Sequence, residues 1–262
     1  MQFHGEIFSA TLEMATGLTI AGPDHFSDVP YQVCYLLHGL CGNDKCWERY
    51  TRLPVYAEEH NILFVMPDAA RSFYTDMRYG VQYLQYISEE LPEICKNLFH
   101  ISSKREDTFA IGCSMGGYGA IKAAFGHPER FGACAALSPC CLMIGEEMDE
   151  LRCLPQEQAI KRYGTQLMRD FTAIFGSELA LCPQDNPIRL AEQIAIKQNC
   201  PKFYLACGKQ DSYLQDCRRY HAILDSLNIQ HTYQEFNGAH DWYCFDETLC
   251  HTLKWLTASQ PE

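Results

Sequence analysis

The sequence predicts an open α/β fold, a mostly parallel sheet with helices on both faces. Two features of the pattern predict it. Short strand-like runs alternate with longer stretches of helical period along most of the chain, the rhythm of strand–helix–strand units. The short runs are apolar throughout rather than on alternate residues, as strands covered on both faces must be. Size sets the scale. A chain of 262 residues, 47% hydrophobic, makes one large domain that buries roughly three quarters of its extended surface.

Taken in order, residues up to about 20 read as an antiparallel strand pair at one sheet edge. Further strands are expected at Gln32–His38, Ile62–Met66, Thr108–Cys113, Ala133–Leu137, Lys202–Cys207 and His231–Phe236. Tyr79, Tyr83, Ile87, Leu91, Ile94 and Leu98 recur every three or four residues and make one helical stripe. A helix through Ala120–Phe125 must stop at Pro128, whose ring cannot continue it. Tyr213–Leu227 and Asp246–Leu256 are two more helices. Between Ser138 and Lys202 the rhythm breaks. Helical patches at Glu157–Tyr163, Gln166–Phe175 and Ile188–Lys197 are punctuated by Pro155, Pro183 and Pro187, with no strand. We read residues 1–262 as a single domain in which about 139–200 is a cap or lid inserted above the sheet, since long insertions at the ligand-binding end are usually functional.

Charge and composition exclude several classes. Lys and Arg number 21 against 33 Asp and Glu, a net charge of −12. Such a surface repels nucleic acid and anionic membranes, so neither is expected as a partner. Ile62–Pro67 and Phe203–Cys207, the longest apolar runs, fall far short of the roughly 20 residues that cross a bilayer. The first residues, Met1 to Glu6, lack the basic and apolar regions of a signal peptide. Fifteen cysteines cannot all pair, and they form neither C-x-x-C nor a zinc spacing. Reduced thiols in the cytoplasm are therefore expected. Most act as small apolar fillers, as at Cys34, Cys134 and Cys207. Gly112–Gly117 lacks the acidic residue of a dinucleotide site, so no cofactor and no metal are expected.

The chemistry concentrates at Gly112-Cys113-Ser114-Met115-Gly116, a G-x-S-x-G pattern. The apolar strand Thr108–Ile111 leads into it and the helix Tyr118–Phe125 leads out. A sharp strand-to-helix elbow needs small residues at Gly112 and Gly116, and it lifts the Ser114 hydroxyl to the tip of the turn. The helix N-terminus beneath favours developing negative charge. A serine hydroxyl needs a base, and behind such elbows the order is serine, acid, histidine. His240 lies in the loop after the strand His231–Phe236, on the same sheet edge as the elbow. His221 and His251 fall inside helices. Asp211, in the loop after Lys202–Cys207, is the acid, with Asp216 second; Asp211 would equally suit a helix N-cap. Two backbone donors complete an oxyanion hole. Met115 follows the nucleophile, and Leu40 lies in the glycine-flanked turn His38-Gly39-Leu40-Cys41-Gly42. His38 is expected to buttress that turn.

Arg71-Ser72-Phe73-Tyr74-Thr75-Asp76-Met77, the elbow with Met115-Gly116-Gly117-Tyr118-Gly119, and Gly238-Ala239-His240-Asp241-Trp242 together resemble the "Putative esterase" family. These esterase D-like enzymes include tributyrin, feruloyl and acetylxylan esterases, S-formylglutathione hydrolases and mycolyl transferases. The resemblance runs from about Tyr31 to Leu256 and is nearest to the tributyrin esterase branch. It implies an α/β-hydrolase fold, with Ser114, Asp211 and His240 at the triad positions and Leu40 and Met115 at the oxyanion positions. Departures are the His38-Gly39 pair, which S-formylglutathione hydrolases usually lack, the missing signal peptide, and Tyr243-Cys244-Phe245 where relatives often carry a second tryptophan. Cys113 beside the nucleophile is also unusual.

The expected activity is that of a serine carboxylesterase acting on short-chain acyl esters through an acyl-enzyme. Alternatives are a feruloyl or acetyl esterase acting on acylated carbohydrates, an S-formylglutathione hydrolase-like thioesterase or an acyltransferase, and a non-catalytic binding module on a hydrolase scaffold. Asn43, Asp44, Trp47, Tyr74, Asp76 and Trp242 are candidates for holding a small-molecule ester, acylated sugars included. Trp47 and Tyr74 would serve equally well as packing beneath loops. An exposed apolar edge could pair copies of the chain into a homo-oligomer.

Overall fold

The computed structural model describes residues 1–25 and 27–258. Its centre is an eight-stranded sheet. The strands are β1 (Gln2–Ser9), β2 (Met14–Ala21), β3 (Gln32–Leu37), β4 (Ile62–Pro67), β5 (Thr108–Cys113), β6 (Ala133–Leu137), β7 (Lys202–Gly208) and β8 (Thr232–Phe236). They lie in the order β1-β2-β4-β3-β5-β6-β7-β8. β3 to β8 run parallel, and β1 and β2 form an antiparallel hairpin joined to β4.

The continuous apolar runs are explained by burial on both sides. Tyr35 and Leu37 of β3 face one core with Val65, Cys134, Phe203 and Leu205. Cys34 and Leu36 of the same strand face the other with Phe64, Ile111, Tyr204 and Ala206. A strand alternates its side chains between faces, so both faces must be apolar when both are covered. Helices Met115–Gly126, Pro187–Lys197 and Leu214–Ser226 cover the first face; Leu53–His60 and Trp242–Thr257 cover the second.

Two expected helices shift at their starts. The stripe that begins at Tyr79 becomes helical only from Tyr83, because Asp76 bridges to Gln82 and its carboxylate accepts the Gln85 N–H. That helix also contains a π turn over Tyr86–Glu90, which brings Tyr86 into the core. The last helix starts at Trp242 rather than Asp246, because the Asp241 carboxylate caps it through the Cys244 N–H.

Between β6 and β7 the chain forms Ile144–Cys153, Gln156–Tyr163, Thr165–Phe175 and Pro187–Lys197. Three of these match the expected patches. Ile144–Cys153 was not foreseen, although Ile144, Met148 and Leu151 stand at helical spacing and are buried. Pro187–Lys197 packs on Met115–Gly126 as an ordinary crossover helix. Thr165–Phe175 instead meets the loop after β4. Arg78 and Tyr79 donate to the Ile174 and Ala173 carbonyls, and Phe73 packs on Phe171. All fifteen cysteines are free thiols. Among the described residues no helix is long and apolar enough to cross a membrane.

Candidate active site

β5 delivers the chain to Ser114 at the carboxyl edge of the sheet, and the helix Met115–Gly126 begins immediately after it. Ser114 has φ 54° and ψ −119°. That conformation is sparsely populated for a residue with a side chain and costs on the order of 1–3 kcal/mol. Its surroundings impose it: the Ser114 N–H donates to the Leu137 carbonyl, and the Ser114 carbonyl accepts from Tyr118 and Cys140. The flanking glycines are obligatory. A Cβ on Gly112 would stand 2.3 Å from the Gly116 carbonyl, and one on Gly116 would stand 2.1 Å from the Leu37 oxygen. Cys113, directly before Ser114, is buried, and burial pushes its thiol well above the usual range, so it supplies no thiolate there.

Three side chains from three loops converge here. The Ser114 Oγ lies 2.9 Å from His240 Nε2, and His240 Nδ1 lies 2.7 Å from Asp211 Oδ2. A carboxylate only accepts, so Nδ1 carries the hydrogen and the Nε2 lone pair faces the Ser114 hydroxyl. The Asp211 side chain is fully buried, while His240 remains 30% exposed. Burial by itself would raise the Asp211 carboxyl; hydrogen bonds from His240 and the Tyr213 N–H outweigh it and hold the group below its usual value. Asp211 is not the N-cap of the following helix, whose cap is Tyr213 with no side-chain cap bond; its Oδ1 instead accepts the Tyr213 N–H within the turn, and its Oδ2 faces the histidine. Tyr213 and Phe245 flank the imidazole, with centroids 5.2 and 5.1 Å away. Asp216 lies within the following helix, and His221 and His251 are helical as expected.

The turn after β3 is fixed by a histidine. His38 is buried, and its Nε2 accepts the Ala69 N–H at 3.0 Å, so its hydrogen sits on Nδ1. That Nδ1–H donates to the Gly39 carbonyl at 2.8 Å, and the Gly42 N–H donates to the same oxygen. This carbonyl and the Leu40 N–H belong to one trans peptide. They point in opposite directions, so pinning the oxygen aims the N–H the other way. Met115 opens its helix, and its N–H is among the first-turn donors with no partner inside the helix.

The residues expected to hold a substrate divide sharply. Trp47 and Tyr74 are fully buried and have no surface to offer a ligand. Trp47 donates its indole N–H to the Leu37 carbonyl, and Tyr74 donates its hydroxyl to the His38 carbonyl. Asp44 is buried too, and its carboxylate accepts from Thr19. These three side chains are used to hold the chain around the turn after β3. Asp76 is occupied at the start of the Tyr83 helix. Asn43 is exposed but caps its own turn through the Lys45 N–H. Trp242 is half-buried, stacked on Tyr50 and edge-on to Trp47.

Arg71 makes a long-range tie that the sequence did not indicate. Its guanidinium holds Asp170 Oδ2 through Nε (2.9 Å) and Nη2 (2.6 Å), while Nη1 lies 3.1 Å from the Cys41 sulfur, next to Leu40. It ties the turn after β3 to the helix Thr165–Phe175. No local signal marks this, because the partner lies 99 positions away.

The chain is similar to known enzymes over nearly its whole length. The "Putative esterase" family matches residues 9–256. An acetyl esterase of Caldicellulosiruptor saccharolyticus is 29% identical over 224 residues, covering 85% of this chain and 82% of the relative. Among solved structures, FphF, a fluorophosphonate-binding serine hydrolase of Staphylococcus aureus, is 28% identical with a TM-score of 0.85, over 98% of each chain. FrmB, an S-formylglutathione hydrolase of the same organism, is 27% identical with a TM-score of 0.81, also over 98% of each chain. A match of this extent, on a doubly covered sheet with a serine elbow, means that the chain belongs to the "Putative esterase" family and is a carboxylic ester hydrolase of the α/β-hydrolase fold.

Proposed function

We propose that the chain is a serine carboxylesterase for short-chain acyl esters, with Ser114 as nucleophile, His240 as base and Asp211 as the acid that orients it. The observation that carries this reading is the unbroken hydrogen-bonded line from Ser114 through His240 to the buried Asp211. His240 takes the hydroxyl proton as Ser114 attacks the ester carbonyl. The Leu40 and Met115 N–H groups receive the oxyanion, each worth about 3–4 kcal/mol in the transition state. The charged imidazole is stabilised by Asp211 and returns the proton to the departing alcohol. Water, activated by the same histidine, then releases the acid. The preference for a short acyl group rests on the likeness to an acetyl esterase.

The test is a panel of p-nitrophenyl esters from acetate to octanoate, beside methyl ferulate, an acetylated xylo-oligosaccharide and S-formylglutathione, with Ser114→Ala as control. Fast turnover of the short esters and a loss of roughly 10⁶ in kcat for Ser114→Ala are expected. Residual activity within tenfold of wild type would remove Ser114 as nucleophile. A 100-fold preference in kcat/KM for ferulate, the acetylated sugar or the thioester would replace the short-chain assignment. Diversion of product to a new ester by added alcohol or sugar would identify an acyltransferase.

A further inference from the structure

Far from the triad, two imidazoles and a carboxylate meet at the opposite end of the sheet. His221 and Asp225 stand one turn apart on the helix Leu214–Ser226, on the same face. His231 lies just before β8, whose first residue, Thr232, pairs with Tyr204 near the start of β7. Asp211 follows the other end of β7, and a strand of that length puts roughly 20 Å between the two places.

The three groups lie close enough to share one ion, with His221 Nδ1 toward His231 and Asp225 nearer the other His221 nitrogen. One ligand atom from each lies within 4.8 Å of those of the other two. His221 Nδ1 is 2.7 Å from His231 Nε2, and Asp225 oxygens are 3.6 Å from His221 Nε2 and 4.0 Å from His231 Nε2. His231 Nδ1 faces the Ile229 carbonyl at 2.8 Å, so it carries the hydrogen and leaves the Nε2 lone pair directed into the cluster. A metal-binding imidazole needs that same support on its second nitrogen. The His231 side chain is 2% exposed, whereas His221 and Asp225 are 35% and 63% exposed. One ligand is thus fixed in the protein and two border solvent, which gives an ion a way in. The His221 ring plane is set by stacking on Tyr233, with centroids 4.5 Å apart.

We propose that His221, Asp225 and His231 form a binding site for a divalent transition metal of the zinc class, separate from the esterase site. Two nitrogens and one carboxylate suit zinc, cobalt or nickel rather than magnesium or calcium, which prefer oxygen alone. Nitrogens bound to tetrahedral zinc are about 3.3 Å apart, so the rings must open by about 0.6 Å as the ion replaces the hydrogen they share. An ion there joins the end of the helix Leu214–Ser226 to the start of β8, the two elements that connect the Asp211 and His240 loops.

The chain has fifteen thiols, and thiolates are zinc ligands too, so the experiment must separate nitrogen from sulfur. The full chain is titrated with Zn2+ by calorimetry and with Co2+ by absorption, beside His221→Ala and Asp225→Asn. Wild type is expected to bind one more Zn2+ per chain than either variant. Its Co2+ form should show d–d bands in addition to any thiolate charge transfer, and both variants should lose them. Zn2+ at a hundredfold excess over Kd should raise the unfolding midpoint of wild type alone by about 5–10 °C. Ester hydrolysis by the metal-free variants should stay within twofold of wild type. Equal Zn2+ stoichiometry in all three proteins, no binding in wild type, or only thiolate bands with Co2+ would overturn the proposal.

Discussion

His38 provides the most incisive test of the proposed oxyanion hole, because its two nitrogens do separable jobs. Nδ1–H holds the Gly39 carbonyl and thereby aims the Leu40 N–H; Nε2 satisfies the buried Ala69 N–H. An asparagine amide reaches about as far as Nδ1, and a glutamine amide about as far as Nε2. In His38→Asn the carbonyl keeps a donor while the Ala69 N–H loses its acceptor. An unsatisfied buried donor costs about 1–3 kcal/mol, so stability should fall by that amount with kcat within about threefold of wild type. In His38→Gln the Ala69 contact is kept and the carbonyl is released, with only the Gly42 N–H still on it. Losing an oxyanion donor outright costs about 10²–10³ in kcat. A partly freed peptide should therefore cost about 10–100-fold, with KM little changed, since the hole acts on the transition state. Urea midpoints and the kcat and KM for p-nitrophenyl acetate measure both effects. A His38→Gln enzyme with wild-type kcat would refute the argument. So would activity losses that simply follow stability losses in both variants.

Two further outcomes follow from buried charges. Lys122 is fully buried and donates to Asp185 (2.8 Å) and Thr75 (2.6 Å), so Lys122→Met should destabilise by about 3–5 kcal/mol in urea, and adding Asp185→Asn should recover part of that; a Lys122→Met loss under 1 kcal/mol would show that the pair is not sealed from water. For Asp211 the folded pKa is lowered, so its carboxylate adds stability that is present above the unfolded value of about 4 and is lost as pH falls through the folded value. Wild type should therefore be more stable than Asp211→Asn at pH 7 and lose that advantage under acid; the variant should also lose on the order of 10⁴ in kcat. An advantage unchanged down to pH 2 would contradict the assignment.

Much of the molecule was legible in the chain. The six parallel strands were placed within a residue or so, five of them because burial on both faces writes an unbroken apolar run; the edge strand β8, Thr232–Phe236, is only half-buried and mixes polar with aromatic residues. The elbow was legible because its geometry tolerates only glycine at 112 and 116. Serine, acid and histidine could be ordered along the chain, because each follows a strand that ends on the same sheet edge. The start of the Tyr83 helix was not legible. It depends on what Asp76 bonds to, and helical spacing alone extends the stripe back to Tyr79.

Composition, periodicity and glycine spacing are local properties, and by themselves they determined the sheet, the elbow and the order of the candidate triad. Which polar and aromatic residues face a substrate is decided by long-range packing. Trp47, Tyr74 and Asp44 look like ligand-binding residues in the sequence. Only the fold shows that their polar atoms are taken by Leu37, His38 and Thr19. The same holds for Arg71 with Asp170 and for His231 with His221: each pair is made by elements that meet in space, and no pattern in the chain records the meeting.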